Sequence, residues 1–405
     1  MGGGSRLLPP SIAAALAAAG GRVTFARFMG LALTDAEWGY YARTDRLLGR
    51  HGHFTTAPHR VPAFNQAISA MLAELVDILL RSSRTERVTV VEVGGGEGDL
   101  AAGILGRWQA ARPDLRGRTD YLLVELGEGL RRAQRERLAG ARRQGWQVRW
   151  APDLGGCGPV TGILVSNELV DALPVHLVNV SGEHLRESWV RLDRVPADLA
   201  DHVHAVGATA CEEWGDPSLD ALDELQRVFG TVEPALLRPL SRDGFIELRP
   251  AARGFLEQAA RVLVDGAVLT MDYGDWLPGT EPAEPEAPAH VPLGPGGPAL
   301  HGRTLRTYFH HQRGSDPLSL VGRQDLTADV DFRALHRHGL GLGFSTATYC
   351  LLSELLAANG AAEGLEKLRP AVSLSLDADI EASALEALLD GRGLGGLFKA
   401  MLQVK

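Results

Sequence analysis

Residues 90–99 read VVEVGGGEGD, and their types and spacing describe a ligand-binding turn. Val88, Val90, Val91 and Val93 form a short β-branched run, as in a central parallel strand covered on both faces. Gly94, Gly96 and Gly98 then break the run. Glycine accepts positive φ and lets a ligand approach the backbone, so the run, the glycines and the following LAAGILGRW predict a strand, a binding turn and a helix. The dinucleotide fingerprint G-x-G-x-x-G places its last glycine one position later than here. Glu92, two positions before the first glycine, would attract a cationic ligand group and repel a pyrophosphate. Both differences favour S-adenosylmethionine over NAD. A structural glycine turn with no ligand is the alternative.

Further acids fall where a nucleoside needs them. Glu125 ends the apolar run DYLLVEL, where an α/β nucleotide site places a carboxylate on the ribose hydroxyls. Asp153, or the backbone of Leu154, follows the next strand and is expected at the adenine edge. An ordinary turn aspartate fits the same residue. The stretch SNELVDALP, 166–174, puts Asn167, Glu168 and Asp171 at a strand's carboxyl end, the side on which open parallel sheets bind ligands. Methyl transfer from a sulfonium needs an aligned nucleophile, exclusion of water and removal of a proton. Glu168 is the candidate for orienting or deprotonating the acceptor. Asn167 is expected to position acceptor and donor, and Asp171 to join them or to cap the following helix.

These side chains need a parallel sheet to carry them, and the chain alternates strand-like and helix-like segments as such a sheet requires. VTVVEVG, DYLLVEL, WQVRWAPDL, GILVSNEL and GAVLTMDYG read as five strands, and VHLVNVSGEHLRESWVRLD as a hairpin turning at Ser181-Gly182. The expected organisation is an N-terminal helical cap over 1–85 and the donor-binding half of the core over 86–194. A mainly helical insertion follows over 195–265, then core completion over 266–405. Within that last part, 277–299 is rich in Pro, Gly and Ala and reads as a mobile surface loop. LGGLFKAMLQVK predicts a closing strand.

Composition fits a globular enzyme, with 45% hydrophobic and 22% charged residues over 405 positions. A formal net charge of −9 argues against nucleic acid as the main partner, and RRAQRERLAGARR reads as a solvated helix face. Cys157, Cys211 and Cys350 are scattered and odd in number, which indicates neither a disulfide framework nor a zinc motif and makes cytoplasm the default location. SIAAALAAAG is too short to span a bilayer, and no membrane role is expected. His310-His311 and His336-x-His338 lack the spacing of a metal site. A homodimer is left open.

Taken together, VTFARFMGLALTDAEWGYYAR, GRHGHFTTAPHRVPAF, EVGGGEGDLAAGIL, SNELVDALPVH, VLTMDYGD and LRTYFHHQRGSDPLSLVGRQDLTADVDFRAL resemble the MidA family of S-adenosylmethionine-dependent methyltransferases. The mitochondrial branch of that family comprises arginine methyltransferases that assist respiratory complex I assembly. The resemblance runs from about residue 20 to the end. It implies an α/β fold, the class I methyltransferase (Rossmann-like) mostly parallel sheet with helical additions. S-adenosylmethionine is the implied donor, with S-adenosylhomocysteine as product, and a guanidine or similar nitrogen the family acceptor. It assigns donor-binding roles to Glu92, Gly94, Gly96, Gly98, Glu125 and Asp153, and active-site roles to Asn167, Glu168 and Asp171. Asp325, Thr327, Asp329 and Asp331 match the family's late motif. Tyr40, Tyr41, Asp272 and Tyr273 are candidates for the acceptor side, with aromatic packing the alternative for the first two.

One departure bears on substrate. Where the family has roughly G-D-F-x-T-S-P-E, this chain has His53 and His59 in place of the two acids. Carboxylates pair with guanidinium through bidentate hydrogen bonds and neutral imidazoles do not. The two histidines therefore suggest a less cationic acceptor, a small molecule or peptide of specialised metabolism, with His53 or His59 as base or hydrogen-bond partner. Lining the cap or the donor pocket is their alternative role. Two other readings stay open: protein-arginine methylation, and a donor-binding assembly factor without turnover.

Overall fold

A computed structural model describes residues 6–42, 61–83, 85–194, 207–277, 303–309, 312–372 and 375–405. Its strands are β1 (Arg22–Thr24), β2 (Val88–Val93), β3 (Thr119–Val124), β4 (Gln147–Ala151), β5 (Val160–Asn167), β6 (His176–Ser181), β7 (His184–Arg194), β8 (Thr209–Gly215), β9 (Phe245–Leu248), β10 (Leu263–Asp275), β11 (Arg306–Phe309), β12 (Gln312–Gly314), β13 (Asp325–Thr327), β14 (Val330–Asp331), β15 (Ser345–Leu351) and β16 (Phe398–Val404).

The central sheet runs β4-β3-β2-β5-β10-β16-β15, with β14 paired to the end of β10. β2 to β5, β10 and β14 are mutually parallel, and β16 lies antiparallel between β10 and β15. β2 is buried along its whole length because both faces are covered. Its Val88 and Val90 point into one apolar cluster, with helices Pro62–Ser82 and Asp99–Ala111. Val91 and Val93 point into another, with helices Pro250–Val262 and Phe332–Gly341. A strand with period-two alternation can do this only if every residue is apolar or partnered. Pro62–Ser82 is long and apolar enough to cross a bilayer, but its apolar face packs in the first of these clusters.

A second, antiparallel sheet joins β1, β6, β7, β8 and β9. Helices Pro10–Ala18 and Phe25–Thr34 cover one of its faces, and helix Leu219–Phe229 the other. The expected hairpin is present, with Ser181 paired to His184 across the turn. The stretch 195–265, described from residue 207, holds helices Leu219–Phe229, Pro234–Leu237 and Pro250–Val262, and it also supplies β8 and β9, which complete this sheet. The N-terminal 85 residues likewise divide their packing: the first two helices lie on the second sheet and Pro62–Ser82 on the central one. The expected loop 277–299 lies outside the described residues from 278 onward, as do His53 and His59.

Candidate active site

The strand order reverses between β2 and β5: β3 and β4 continue on one side, β10 on the other. Chains leaving adjacent strand ends in opposite directions leave a crevice at that point. Here it is a cavity of about 380 Å³, lined by the segments that follow β2, β3, β4 and β5.

The glycine turn forms one wall. Gly94, Gly96 and Gly98 have φ of 70°, 52° and 87°, the left-handed region in which a side chain is strained. A Cβ at Gly94 would also stand 2.7 Å from Leu169 Cδ1. Gly94 and Gly96 line the cavity, together with Gly95, which the glycine pattern did not single out. Gly98 does not line it. It is the N-cap of helix Asp99–Ala111 and closes the turn by donating its N–H to the Gly95 carbonyl at 2.8 Å. Its contribution is the shape of the loop.

Two buried acids face the cavity. Glu92 accepts from the Tyr121 hydroxyl at 2.6 Å, and its carboxyl is pushed up to about 7, burial outweighing that hydrogen bond. Glu125 accepts from the Gly127 N–H at 3.0 Å and is also pushed up to about 7, chiefly by burial. An acid raised this far is waiting for a donor or a cation, because either would favour its charged form. On the β4 side, Asp153 and Leu154 line the cavity. The Asp153 carboxylate accepts from Gly156 N–H at 2.9 Å and so fixes its own turn.

At the end of β5, Asn167 and Glu168 line the cavity. Asn167 Nδ2 donates to Glu168 Oε1 at 3.1 Å, and Asn167 Oδ1 is buried with no hydrogen-bond partner among the described residues. Glu168 has φ of 51°, one of three non-glycine residues with positive φ among those described. Such strain persists only where the surroundings enforce it. Here Glu168 N–H donates to the Met271 carbonyl at 3.0 Å, and Asp272 Oδ2 accepts from Val170 N–H at 2.8 Å and Asp171 N–H at 3.2 Å. Asp272, considered for the acceptor side, is instead fully buried and holds the turn from beneath. Asp171 does not line the cavity but lies buried behind it, its carboxyl pushed up to about 6, mainly by burial, and its Oδ1 has no hydrogen-bond partner among the described residues; residues 169–173 form no helix, so the expected helix cap is absent. Buried Arg249 supports this layer, donating to the carbonyls of Leu173, Asp329, Ala328 and Asp171.

Opposite this wall stands Tyr41, whose hydroxyl donates to Asp325 Oδ1 at 2.9 Å. Thr34 and, from helix Pro250–Val262, Phe255 and Gln258 complete the lining. None of the three was singled out in the sequence: Thr34 reaches the cavity from a helix packed on the second sheet, and Phe255 and Gln258 from a helix packed on the central one. His336 Nδ1 pairs with Thr346 Oγ1, and His338 faces Glu224. Among the described residues no group of three or more His, Cys, Asp or Glu is placed to hold a metal. The acids, the unpartnered amide oxygen and the glycine backbone suit S-adenosylmethionine, which brings hydroxyl donors and an ammonium as well as a sulfonium.

Comparison with known proteins agrees. The family model of S-adenosyl-L-methionine-dependent methyltransferases matches residues 68–350. A Burkholderia thailandensis protein solved with S-adenosyl-homocysteine bound is 26% identical with a TM-score of 0.74, over 98% of this chain and 91% of that one. The mouse mitochondrial protein arginine methyltransferase NDUFAF7 is 26% identical over 79% of this chain and 67% of its own length. The human protein is also 26% identical, over 79% of this chain and 66% of its own length. The chain thus spans about two thirds of the length of these curated relatives. Cytoplasm, the location expected from cysteine usage, is overturned by these relatives, which are named mitochondrial. Scattered thiols separate reducing from oxidising compartments and do not choose among the reducing ones.

Proposed function

The chain belongs to the S-adenosyl-L-methionine-dependent methyltransferase family, and from that premise we propose that it methylates a nitrogen of a peptide or small-molecule acceptor. When bound, the donor supplies an electrophilic methyl on a positive sulfur, and transfer leaves a neutral thioether. The carrying observation is Glu168, a carboxylate at the end of β5 held in a left-handed backbone and steadied by the Asn167 amide. An acceptor nitrogen arrives with protons, and a fixed carboxylate both orients those N–H bonds and takes the proton released on methylation. Glu92 and Glu125 would hold the donor's ammonium and ribose, Asn167 Oδ1 would accept from a donor or acceptor N–H, and Tyr41 would close the site against water.

Two sources of acceptor follow. The mitochondrial relatives are named protein arginine methyltransferases, which favours a guanidine on a polypeptide, a group that a carboxylate receives well. His53 and His59 favour instead a less cationic molecule of specialised metabolism. Incubation of the protein with methyl-labelled donor and a cell extract decides between them. A labelled polypeptide supports the first, a labelled product of low mass the second. No label in either fraction, with donor binding intact, would favour an assembly factor without turnover.

A further inference from the structure

The chain carries a formal charge of −9, yet residues 107–149 hold eleven arginines against five acids, Asp114, Asp120, Glu125, Glu128 and Glu136. Some of these arginines are neutralised, as where Glu128 takes both Arg131 and Arg135. Arg116, Arg132, Arg142 and Arg143 have no acidic partner among the described residues. All four are exposed, on the segments flanking β3 and β4, and make up an arginine belt. Arg116 Nη1 donates to the Gln144 carbonyl at 2.9 Å, and Arg135 and Arg142 lie over the Trp150 ring at 5.6 Å and 5.7 Å. Arg149 projects beside them from β4 and stands 3.6 Å from Asp120.

β4 is the last strand of the central sheet on this side and pairs only with β3 among the described strands. An edge strand presents unpaired N–H and C=O groups, and charged side chains usually guard it. Between residues 107 and 149 the exposed arginines outnumber the exposed acids, on a molecule of net negative charge. We infer that the β4 edge and its arginine belt dock an extended acidic polypeptide segment, which adds a strand to β4 and places carboxylates on Arg116, Arg142, Arg143 and Arg149. Guanidinium forks receive carboxylates in bidentate fashion, and backbone pairing along β4 sets the register. Polypeptide is favoured over nucleic acid because the Arg135 and Arg142 guanidiniums already lie over the Trp150 ring, the aromatic group of the belt, where a stacking base would have to displace them. The inference is independent of the acceptor's identity.

The test uses the full chain with a fluorescent oligoglutamate peptide as probe and single-stranded RNA as comparison. Binding should weaken with salt, fall at least about tenfold in R116E/R142E/R143E, and protect the β4 amides 147–151 from hydrogen exchange. All three positions are exposed, so the variant should keep its fold and its donor affinity, which is measured alongside. No measurable peptide binding, an unchanged affinity in the triple variant, absence of β4 protection, or tighter binding of RNA than of peptide would each overturn the inference.

Discussion

Tyr41 and Asp325, 284 positions apart, meet through a 2.9 Å hydrogen bond from the Tyr41 hydroxyl to Asp325 Oδ1 at the rim of the cavity. Asp325 is buried and its carboxyl is pushed up to about 7 by that burial, with Asp171 nearby adding to the rise. Tyr41 is thereby anchored in a chain segment that ends, among the described residues, at Ala42. Removing the hydroxyl in Y41F should lower kcat/KM about tenfold, the loss of one buried hydrogen bond of roughly 1–1.5 kcal/mol, with donor affinity nearly unchanged. D325N, which keeps an acceptor oxygen for Tyr41, should recover most of the activity that D325A loses. Equal losses in D325N and D325A would contradict a positioning role.

Replacing Glu168 separates chemistry from binding. E168Q preserves shape and the contact to Asn167, yet should reduce kcat by about a hundredfold, at the low end for a lost acid–base group, without changing donor affinity. E168G relaxes the positive φ and should raise thermal stability slightly while abolishing turnover. Steady-state kinetics and calorimetry on the two variants check both outcomes.

Gly94 and Gly106 offer a matched pair. G94A places a methyl 2.7 Å from Leu169 Cδ1 at a φ of 70° and should abolish donor binding. A Cβ at Gly106 meets nothing within 4 Å, on helix Asp99–Ala111. G106A should therefore leave binding intact and stabilise the helix by up to about 1 kcal/mol. Thermal melts with and without donor distinguish the two.

Much of this site was legible in the sequence because its parts are local. A β-branched run, alternating glycines and an acid at each strand end can be read within about ten residues, and they pointed to cavity-lining segments at 92–97, 125, 153–154 and 167–168. What could not be read depends on distant pairings. β8 and β9 are short, half-exposed strands whose partners lie across the second sheet, so nothing local in a mainly helical stretch marked them as completing that sheet. Asp171 and Asp272 carry the residue types of an active site, yet only the folded packing shows that both are buried beside Arg249 and that Asp272 holds the backbone after Glu168. Thr34, Phe255 and Gln258 are ordinary residues made relevant by position alone.

The charge network beneath the site also bears on stability. Arg249 serves four backbone carbonyls while buried near Asp171 and Asp272. R249M removes the cation but leaves those acids and carbonyls enclosed, and should cost about 3–5 kcal/mol, measured by denaturant unfolding. Loss of less than about 1 kcal/mol would contradict that role.

The central claim is that the cavity between β2 and β5 receives a cationic sulfur cofactor against Glu92 and Glu125. Both carboxyls are raised to about 7 in the absence of ligand. Through pH 5 to 7 the folded protein therefore retains protons that the unfolded chain has lost, so its ligand-free stability should fall as pH rises across that window. A cation favours the ionised acids, so donor affinity should rise over the same interval and level off above it. Calorimetric titration with S-adenosylmethionine at pH 5.5 and 8, on wild type and on E92Q/E125Q, tests this most directly. The expected result is binding that strengthens several-fold with pH in wild type and is weak and pH-independent in the variant. No uptake of S-adenosylmethionine or S-adenosylhomocysteine by the wild-type chain at either pH would contradict it.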